Sequence, residues 1–189
     1  MKYFGHKLTT QGVLPDPGKI AAIKEMPAPT TPAELETVLG MVNYLAKFAP
    51  HLSEITAPLR DMLKKDAQFL WDKVHDVAFN AMKDVLCKSP GPILAYYDPK
   101  KDITLQVDAS QRGLGAALLQ EGRPVAYASK SLTPTECAYA QIEKELYAVV
   151  FGAEKFHQYI YGNEVRVQSD HKALESIAKK PLAMAPARL

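Results

Sequence analysis

Cysteine is scarce in this chain of 189 residues. Its two cysteines, Cys87 and Cys137, stand far apart with no Cys-x-x-Cys pair. They offer neither a disulfide framework nor a thiolate metal site, and they fit a reducing compartment. No apolar run approaches the roughly 18 residues of a membrane-spanning helix, so no membrane partner is expected. The opening MKYFGHKL lacks the apolar core of a secretory signal. Charge excess is missing too. A net charge of +2 and a pI near 8.4 permit nucleic-acid binding without arguing for it. What is present is ordinary for a globular protein: 47% apolar and 23% charged residues, enough for one domain or two small ones. There is no internal repeat and no low-complexity tract.

The N-terminal third reads as a hairpin followed by helices. KYFGHKLTTQGVLPDP alternates around Gly12 and ends in two prolines, which predicts a short hairpin. PDPGKIAAIKEM predicts one or two helical turns, and PAPTTP (27–32) a linker. Thr31, Pro32 and Glu34 predict a helix start with a capping box. Leu35, Val38, Leu39, Val42 and Leu45 then carry helical spacing up to Pro50. A second helix is expected over about 53–64 on Ile55, Leu59, Met62 and Leu63. A third follows Asp72, on Val74, Val77, Ala78, Met82, Val85 and Leu86, and stops before SPGP (89–92).

After a turn-rich connector (89–101) the period changes. ITLQV, GAALLQ and PVAYAS predict three strands, at about 103–108, 114–120 and 124–129. EGRP (121–124) is a tight link of an antiparallel meander. A long helix is expected from Thr133 to about Tyr161, stopped by Gly162-Asn163. EVRVQS (164–169) is a fourth strand, and KALESIAKK (172–180) begins another helix. The order β-β-β-α-β-α predicts an α/β (α+β) fold with a mixed sheet.

Three acids stand at informative stations. Asp108 ends the first of these strands, Glu145 lies on the long helix, and Asp170 ends the fourth strand. Carboxylates delivered by two strands and a helix could converge on divalent metal, which can activate water against a phosphodiester. Taken singly, Asp108 and Asp170 also suit turns or helix caps. Glu143 rivals Glu145, because the two flank the apolar stripe Ile142, Leu146, Val149, Ala153, Phe156 and Ile160 on opposite sides. Periodicity does not choose between them, although Glu145 shares its side with Ala148 and Gly152, which would let a sheet approach closely. Ser110, Gln111 and Arg112 beside Asp108 could touch the sugar or phosphate of a nucleic acid, or form a solvated turn. Lys100/Lys101 and Lys179/Lys180 are short basic pairs that could attract phosphates. His171 is read as structural or surface, and Trp71 as packing.

The ordered acids resemble ribonuclease H. YFGHKLTTQGVLPDPGKIAAI, LETVLGMVNYLAKFAPHLSEITAPL, VDASQRGLGAALLQ, PVAYASKSLTPTECAYAQIEKELYAVV and SDHKAL together are similar to the Pol polyprotein of gypsy-type long-terminal-repeat retrotransposons. The resemblance implies a reverse-transcriptase piece. Residues 1–26 would be the tail of the palm, 27–92 a thumb- or connection-like helical module, and 93–189 an RNase H-like domain without its last strand and helix. It implies metal-dependent hydrolysis of the RNA in RNA–DNA hybrids. Asp108, Glu145 and Asp170 would be both catalytic residues and ligands of a two-metal magnesium site. A fourth acid near the family's C-terminus has no counterpart before Leu189, so the resemblance implies an incomplete site. It makes Gly113 and Gly115 a tight turn.

Tyr96-Tyr97-Asp98-Pro99 departs from the family's Tyr-x-Asp-Asp polymerase motif, so DNA synthesis is not expected of this chain. The implied partners are an RNA–DNA hybrid and the remaining palm and fingers domains, in the cytoplasm within retrotransposon particles or in the nucleus. The alternative is a non-catalytic nucleic-acid-binding or scaffolding remnant of the same polyprotein. A more distant alternative is a protein-interaction domain using helices 32–49 and 73–88.

Overall fold

The computed structural model describes residues 1–3, 5–65, 67–88, 93–170 and Leu174. The helix expected over 172–180, with His171 and the pair Lys179/Lys180, lies outside the described residues. The chain opens on a small antiparallel sheet of β1 (Lys2–Tyr3), β2 (His6–Thr9) and β3 (Gly12–Pro15). This contains the expected hairpin. Gly12 sits at φ 144°, and a Cβ there would run into the Leu94 carbonyl. Val13 and Leu94 exchange backbone hydrogen bonds at that point, so the close approach ties the connector to the N-terminal sheet.

Helix α1 (Pro17–Glu25) starts where the Asp16 carboxylate accepts from the Gly18 N–H, and it runs longer than the one or two turns expected. Helix α2 (Pro32–Tyr44) begins at Thr31, whose hydroxyl accepts from the Glu34 N–H at 3.2 Å. The expected capping box is only half made. The Glu34 carboxylate reaches one residue further back, accepting from the Thr30 N–H and hydroxyl. Leu35, Val38, Leu39 and Val42 are buried as their spacing requires. The helix expected up to Pro50 stops at Tyr44 and tightens into a 3-10 turn over Ala46–Phe48.

The single helix expected over 53–64 is two pieces, α3 (Leu52–Ile55) and α4 (Ala57–Asp61). Pro58 lacks the N–H that a continuous helix would donate to the Glu54 carbonyl, and the Thr56 hydroxyl adds a bond to the Leu52 carbonyl at 2.8 Å beside the Thr56 N–H. Helix α5 (Lys73–Cys87) starts at the Asp72 cap, as expected. Its buried face differs: Ala78, Phe79, Met82 and Leu86 face the core, whereas Val74 and Val77 are 59% and 69% exposed. Trp71 packs edge-on against Phe79.

The second sheet has the order β6-β5-β4-β7, built from β4 (Ile103–Ala109), β5 (Gly113–Gln120), β6 (Arg123–Ser131) and β7 (Val165–Gln168). Three strands form an antiparallel meander, and β7 adds parallel to β4. The β5–β6 link turns through Glu121 and Gly122, both at positive φ, the conformation of a two-residue hairpin turn. The helix expected over 133–161 is three pieces: α6 (Pro134–Cys137), α7 (Gln141–Lys155) and α8 (His157–Ile160). Ala140 is extended, and its N–H donates to the Glu143 carboxylate at 2.9 Å, which starts α7 afresh.

Alternation along β4 buries Ile103, Leu105, Val107 and Ala109. Helix α7 lies against this face, with Gly152 where a Cβ would stand 3.0 Å from Leu105 Cδ1 and 3.2 Å from Ala116 Cβ. The opposite face of β5 meets the helical module. A Cβ on Gly115 would stand 3.2 Å from the His51 ring, and one on Gly113 would stand 3.5 Å from Ser53 Oγ. Gly115 is therefore a strand residue kept small by a crossing element, whereas Gly113 opens β5 and closes the expected tight turn, its carbonyl accepting from the Ser110 N–H at 2.9 Å. The Ser53 N–H donates to Ser129 Oγ at 3.0 Å and the Ser131 hydroxyl donates to the Ser53 carbonyl at 3.2 Å, which fastens the module to β6. Two cores result. One lies among the helices around Leu35, Leu59 and Met82, the other between the sheet and α7 around Leu105, Leu118 and Ala148.

Candidate carboxylate metal centre

Strand β4 presents Asp108 on the face it shares with its cross-strand neighbour Gly115. The parallel register of β4 and β7 pairs Gln106 with Gln168. Two residues further along both chains, this register sets Asp170 beside Asp108. Helix α7 contributes Glu145 from its first turns, at the C-terminal end of β4. There the Gln141 side-chain amide donates to the Ala109 carbonyl at 2.7 Å and to Glu145 Oε1 at 2.8 Å. The Ser169 hydroxyl donates to the other Glu145 oxygen at 3.4 Å. One oxygen from each of Asp108, Glu145 and Asp170 lies within 4.8 Å of the others.

Burial grades across the cluster. Glu145 is buried, Asp108 half-buried and Asp170 exposed. Burial raises the Glu145 carboxyl above its ordinary range, and the charges of Asp170 and Asp108 push the same way, against the hydrogen bonds from Gln141 and Ser169. Three carboxylates gathered this closely, one of them dry, repel each other unless a cation or a proton intervenes. The donors are all hard oxygen, with neither His nor Cys among the three, which is the set that suits a hard divalent cation. The residues therefore fit such an ion. Glu143 is elsewhere, at the N-terminus of α7, where its carboxylate accepts from Ala140.

The turn after Asp108 is internally organised. Ser110 Oγ accepts from the Arg112 and Gly113 N–H groups at 3.3 and 3.0 Å and donates to the Gly113 carbonyl. Arg112 Nη2 donates to Asp61 of α4 at 2.6 Å. Gln111 and Arg112 line a cleft, whereas Ser110 is committed to holding the turn. Asp98, in the nearest string to a polymerase motif, forms an Asx turn by accepting from the Lys100 N–H. Lys101 is paired with Glu121 at 2.8 Å.

His51 is a site residue that sequence reasoning misses. It sits at φ 52° just before α3, with Nδ1 3.7 Å from Asp108 Oδ2. That is beyond a hydrogen bond but close enough to wall the site. A hollow of about 340 Å³ lies between Pro50, His51, Gly115 and Tyr127 and opens on Asp108 and Asp170. Nothing local announces His51; only the packing of the helical module on β5 brings it there. Gln141 could have been found, since it lies one helical turn before Glu145.

A mixed sheet of three antiparallel strands and one parallel strand, crossed by a helix and carrying an acid from each of β4, α7 and the end of β7, defines an RNase H-like domain. Residues 71–167, more than half of the chain, match the RNase H-like domain found in reverse transcriptase, and the chain belongs to that family. It is 36% identical over 173 residues to the retrovirus-related Pol polyprotein from transposon 297 of Drosophila melanogaster, covering 91% of this chain and 16% of that protein. With the Pol polyprotein from transposon gypsy of the same organism it shares 33% identity over 186 residues, covering 92% and 18%. The chain thus spans less than a fifth of the length of these curated relatives. The structure of a foamy viral protease-reverse transcriptase in complex with RNA/DNA hybrid superposes with a TM-score of 0.82 at 23% identity, over 99% of this chain and 26% of that one. At that identity the likeness speaks for the fold.

Proposed function

We propose that this chain is part of a retrotransposon reverse transcriptase and that its sheet domain hydrolyses the RNA strand of RNA–DNA hybrids with magnesium. The observation that carries this reading is the approach of Asp108, Glu145 and Asp170 to within 4.8 Å, from two strands and a helix far apart in sequence. These three residues would hold the metal. When bound, magnesium supplies an activated water and offsets charge on the leaving oxygen. The chain's own contribution is positioning. Gln141 locks Glu145 to the end of β4 by bonding the Ala109 carbonyl and the carboxylate together. Ser169, next to Asp170, donates to the other Glu145 oxygen. Burial of Glu145 keeps water from competing at that ligand, while exposed Asp170 leaves one side open to a duplex.

The proposed partners are an RNA–DNA hybrid, supported by the hybrid-bound foamy viral relative in fold, and the palm and fingers of the same polyprotein. The proposed division is a palm tail over 1–26, a thumb- or connection-like module over 27–92 and the RNase H-like domain over 93–189. The separate helical and sheet cores support the division between the last two, while Ile23 of the proposed palm tail packs into the helical core.

The test is cleavage of a labelled RNA–DNA hybrid with magnesium and then manganese, comparing the chain with Asp108→Asn. The reading expects cleavage that needs metal and is lost in the variant. Cleavage that survives Asp108→Asn would sink it. Hybrid binding without cleavage by either chain would favour a scaffolding role instead.

A further inference from the structure

A second cleft, of about 590 Å³, opens along the seam between the helical module and the sheet domain. Arg60 and Lys64 line it from α4 and its C-terminal end, and Gln111 and Arg112 line it from the turn after β4. One carboxylate, Asp61, stands among these three cations. It accepts from Arg112 at 2.6 Å and lies 2.7 Å from the Lys64 ammonium. Burial pushes the Asp61 carboxyl up, but Lys64 and Arg112 outweigh it and hold it below the usual carboxylate range. Arg60 uses one of its five donors on the Thr56 hydroxyl, at 3.2 Å. Among the described residues the cleft therefore carries more positive charge than its one carboxylate offsets, and its cations are ordered by the fold.

The cleft adjoins the acids. Gln111 and Arg112 follow Asp108 by three and four residues, and Asp108 pairs with Gly115 across the hairpin. The chain turns back over Ser110–Gly113, so at roughly 3.3 Å of rise per residue the tip of the turn lies two to three strand residues, or about 7–10 Å, beyond Asp108. Each strand of a duplex presents a phosphate about every 3.4 Å along the axis. A strand lying on the carboxylate cluster would therefore run into the cleft about two to three nucleotides away.

The geometry points to this seam as a phosphate-backbone track, in which Arg60 and Lys64 of the helical module join Arg112 of the turn to hold the nucleic acid on the carboxylate cluster. The inference rests on the hybrid-cleavage reading for its ligand. Asp61 holds Arg112 and Lys64 in place in the free protein and competes with the phosphates for them. Guanidinium groups suit this task because their planar fork matches phosphate oxygens two at a time. The consequence is a seam that binds only when module and sheet are docked together, so the helical module takes part in substrate placement.

The test is fluorescence anisotropy of a labelled RNA–DNA hybrid with the full chain in a chelator, which permits binding without cleavage, over a salt series. Lys64→Gln and Arg60→Gln should each weaken binding several-fold and reduce the salt slope by about one. Asp61→Asn should tighten binding, because it frees two cations. Lys64 is 62% exposed, so Lys64→Gln leaves folding intact. Unchanged affinity and slope in both Lys64→Gln and Arg60→Gln would overturn the track, as would absence of hybrid binding by the parent at low salt. The two readings fail separately. A chain that binds through Lys64 and Arg60 but never cleaves sinks the nuclease reading alone. A chain whose cleavage depends on Asp108 but whose binding ignores Lys64 and Arg60 sinks the track alone.

Discussion

Glu145→Gln should make the metal-free protein more stable while removing its response to metal. The parent holds one buried carboxylate with two others within 4.8 Å. Two unit charges about 5 Å apart repel by roughly 3 kcal/mol at an effective dielectric of 20, and by about 1 kcal/mol in water. Solvent reaches Asp108 and Asp170, so the lower part of that range applies, and desolvation of Glu145 adds in the same direction. Glutamine keeps the shape and can still accept from Gln141. The expected gain is therefore about 1–2 kcal/mol at pH 7 in a chelator.

The sign of the pH dependence follows from the raised Glu145 carboxyl. Between its ordinary value of 4.5 and its raised folded value, the folded state binds more protons than the unfolded state. Stability from this group thus falls as pH rises through that window, and Glu145→Gln should flatten the profile there. Saturating magnesium should reverse the ranking, since a ligand at about 100 times its dissociation constant stabilises by about 2.7 kcal/mol. Urea unfolding from pH 4 to 8, with chelator and with magnesium, reads all of this. A variant less stable than the parent in chelator at pH 7, or equally stabilised by magnesium, would refute the reasoning.

Three further outcomes are expected. Burial would raise the Glu136 carboxyl, but the Thr133 N–H, Lys130 and Tyr147 hold it at about 2. Its contribution is present above pH 4.5 and is lost as pH falls toward about 2. Glu136→Gln should cost about 2 kcal/mol at pH 7, allowing for solvent at Lys130, and nothing near pH 2; an equal cost at both pH values in urea melts would contradict this. Gly152→Val would force three carbons into the space held by Leu105 and Ala116. It should cost about 1–3 kcal/mol of stability and, by lifting α7, weaken magnesium-induced stabilisation; a silent substitution in both readouts would deny that α7 is seated through Gly152. Thr31→Ala removes the hydroxyl that accepts from Glu34 and should cost about 1 kcal/mol in urea unfolding, whereas no loss would show that the cap does not hold α2.

The sheet was legible because period-2 alternation and the Glu121-Gly122 link act locally. ITLQV, GAALLQ and PVAYAS each lie inside an observed strand. The helices were less so. Their breaks depend on single polar or cyclic groups: Pro58 divides 52–61, and the Glu143 carboxylate restarts the helix at Gln141. In α5 the apolar residues Val74 and Val77 lie outside the buried face, because Phe79 sets the phase of packing. Arg112 stood out in the sequence by its place beside Asp108, but His51, Arg60 and Lys64 did not, since each depends on where the helical module crosses β5.

Helix α7 shows why the apolar stripe misleads at a site of this kind. Ile142, Leu146 and Val149 mark one face by hydrophobicity and are only half-buried. The face pressed against the sheet carries Glu145, Ala148 and Gly152 instead. A helix that must bring a carboxylate to the end of a strand has to lie close to that strand, and small residues are what permit close approach. Bulk on the Gly152 side would hold α7 off Leu105 and carry Glu145 away from Asp108 and Asp170. Small residues at four- and three-residue spacing beside a lone acid therefore distinguish a helix that delivers a ligand from one that only covers a core. By that criterion Glu145, and not Glu143, is the residue on the delivering face.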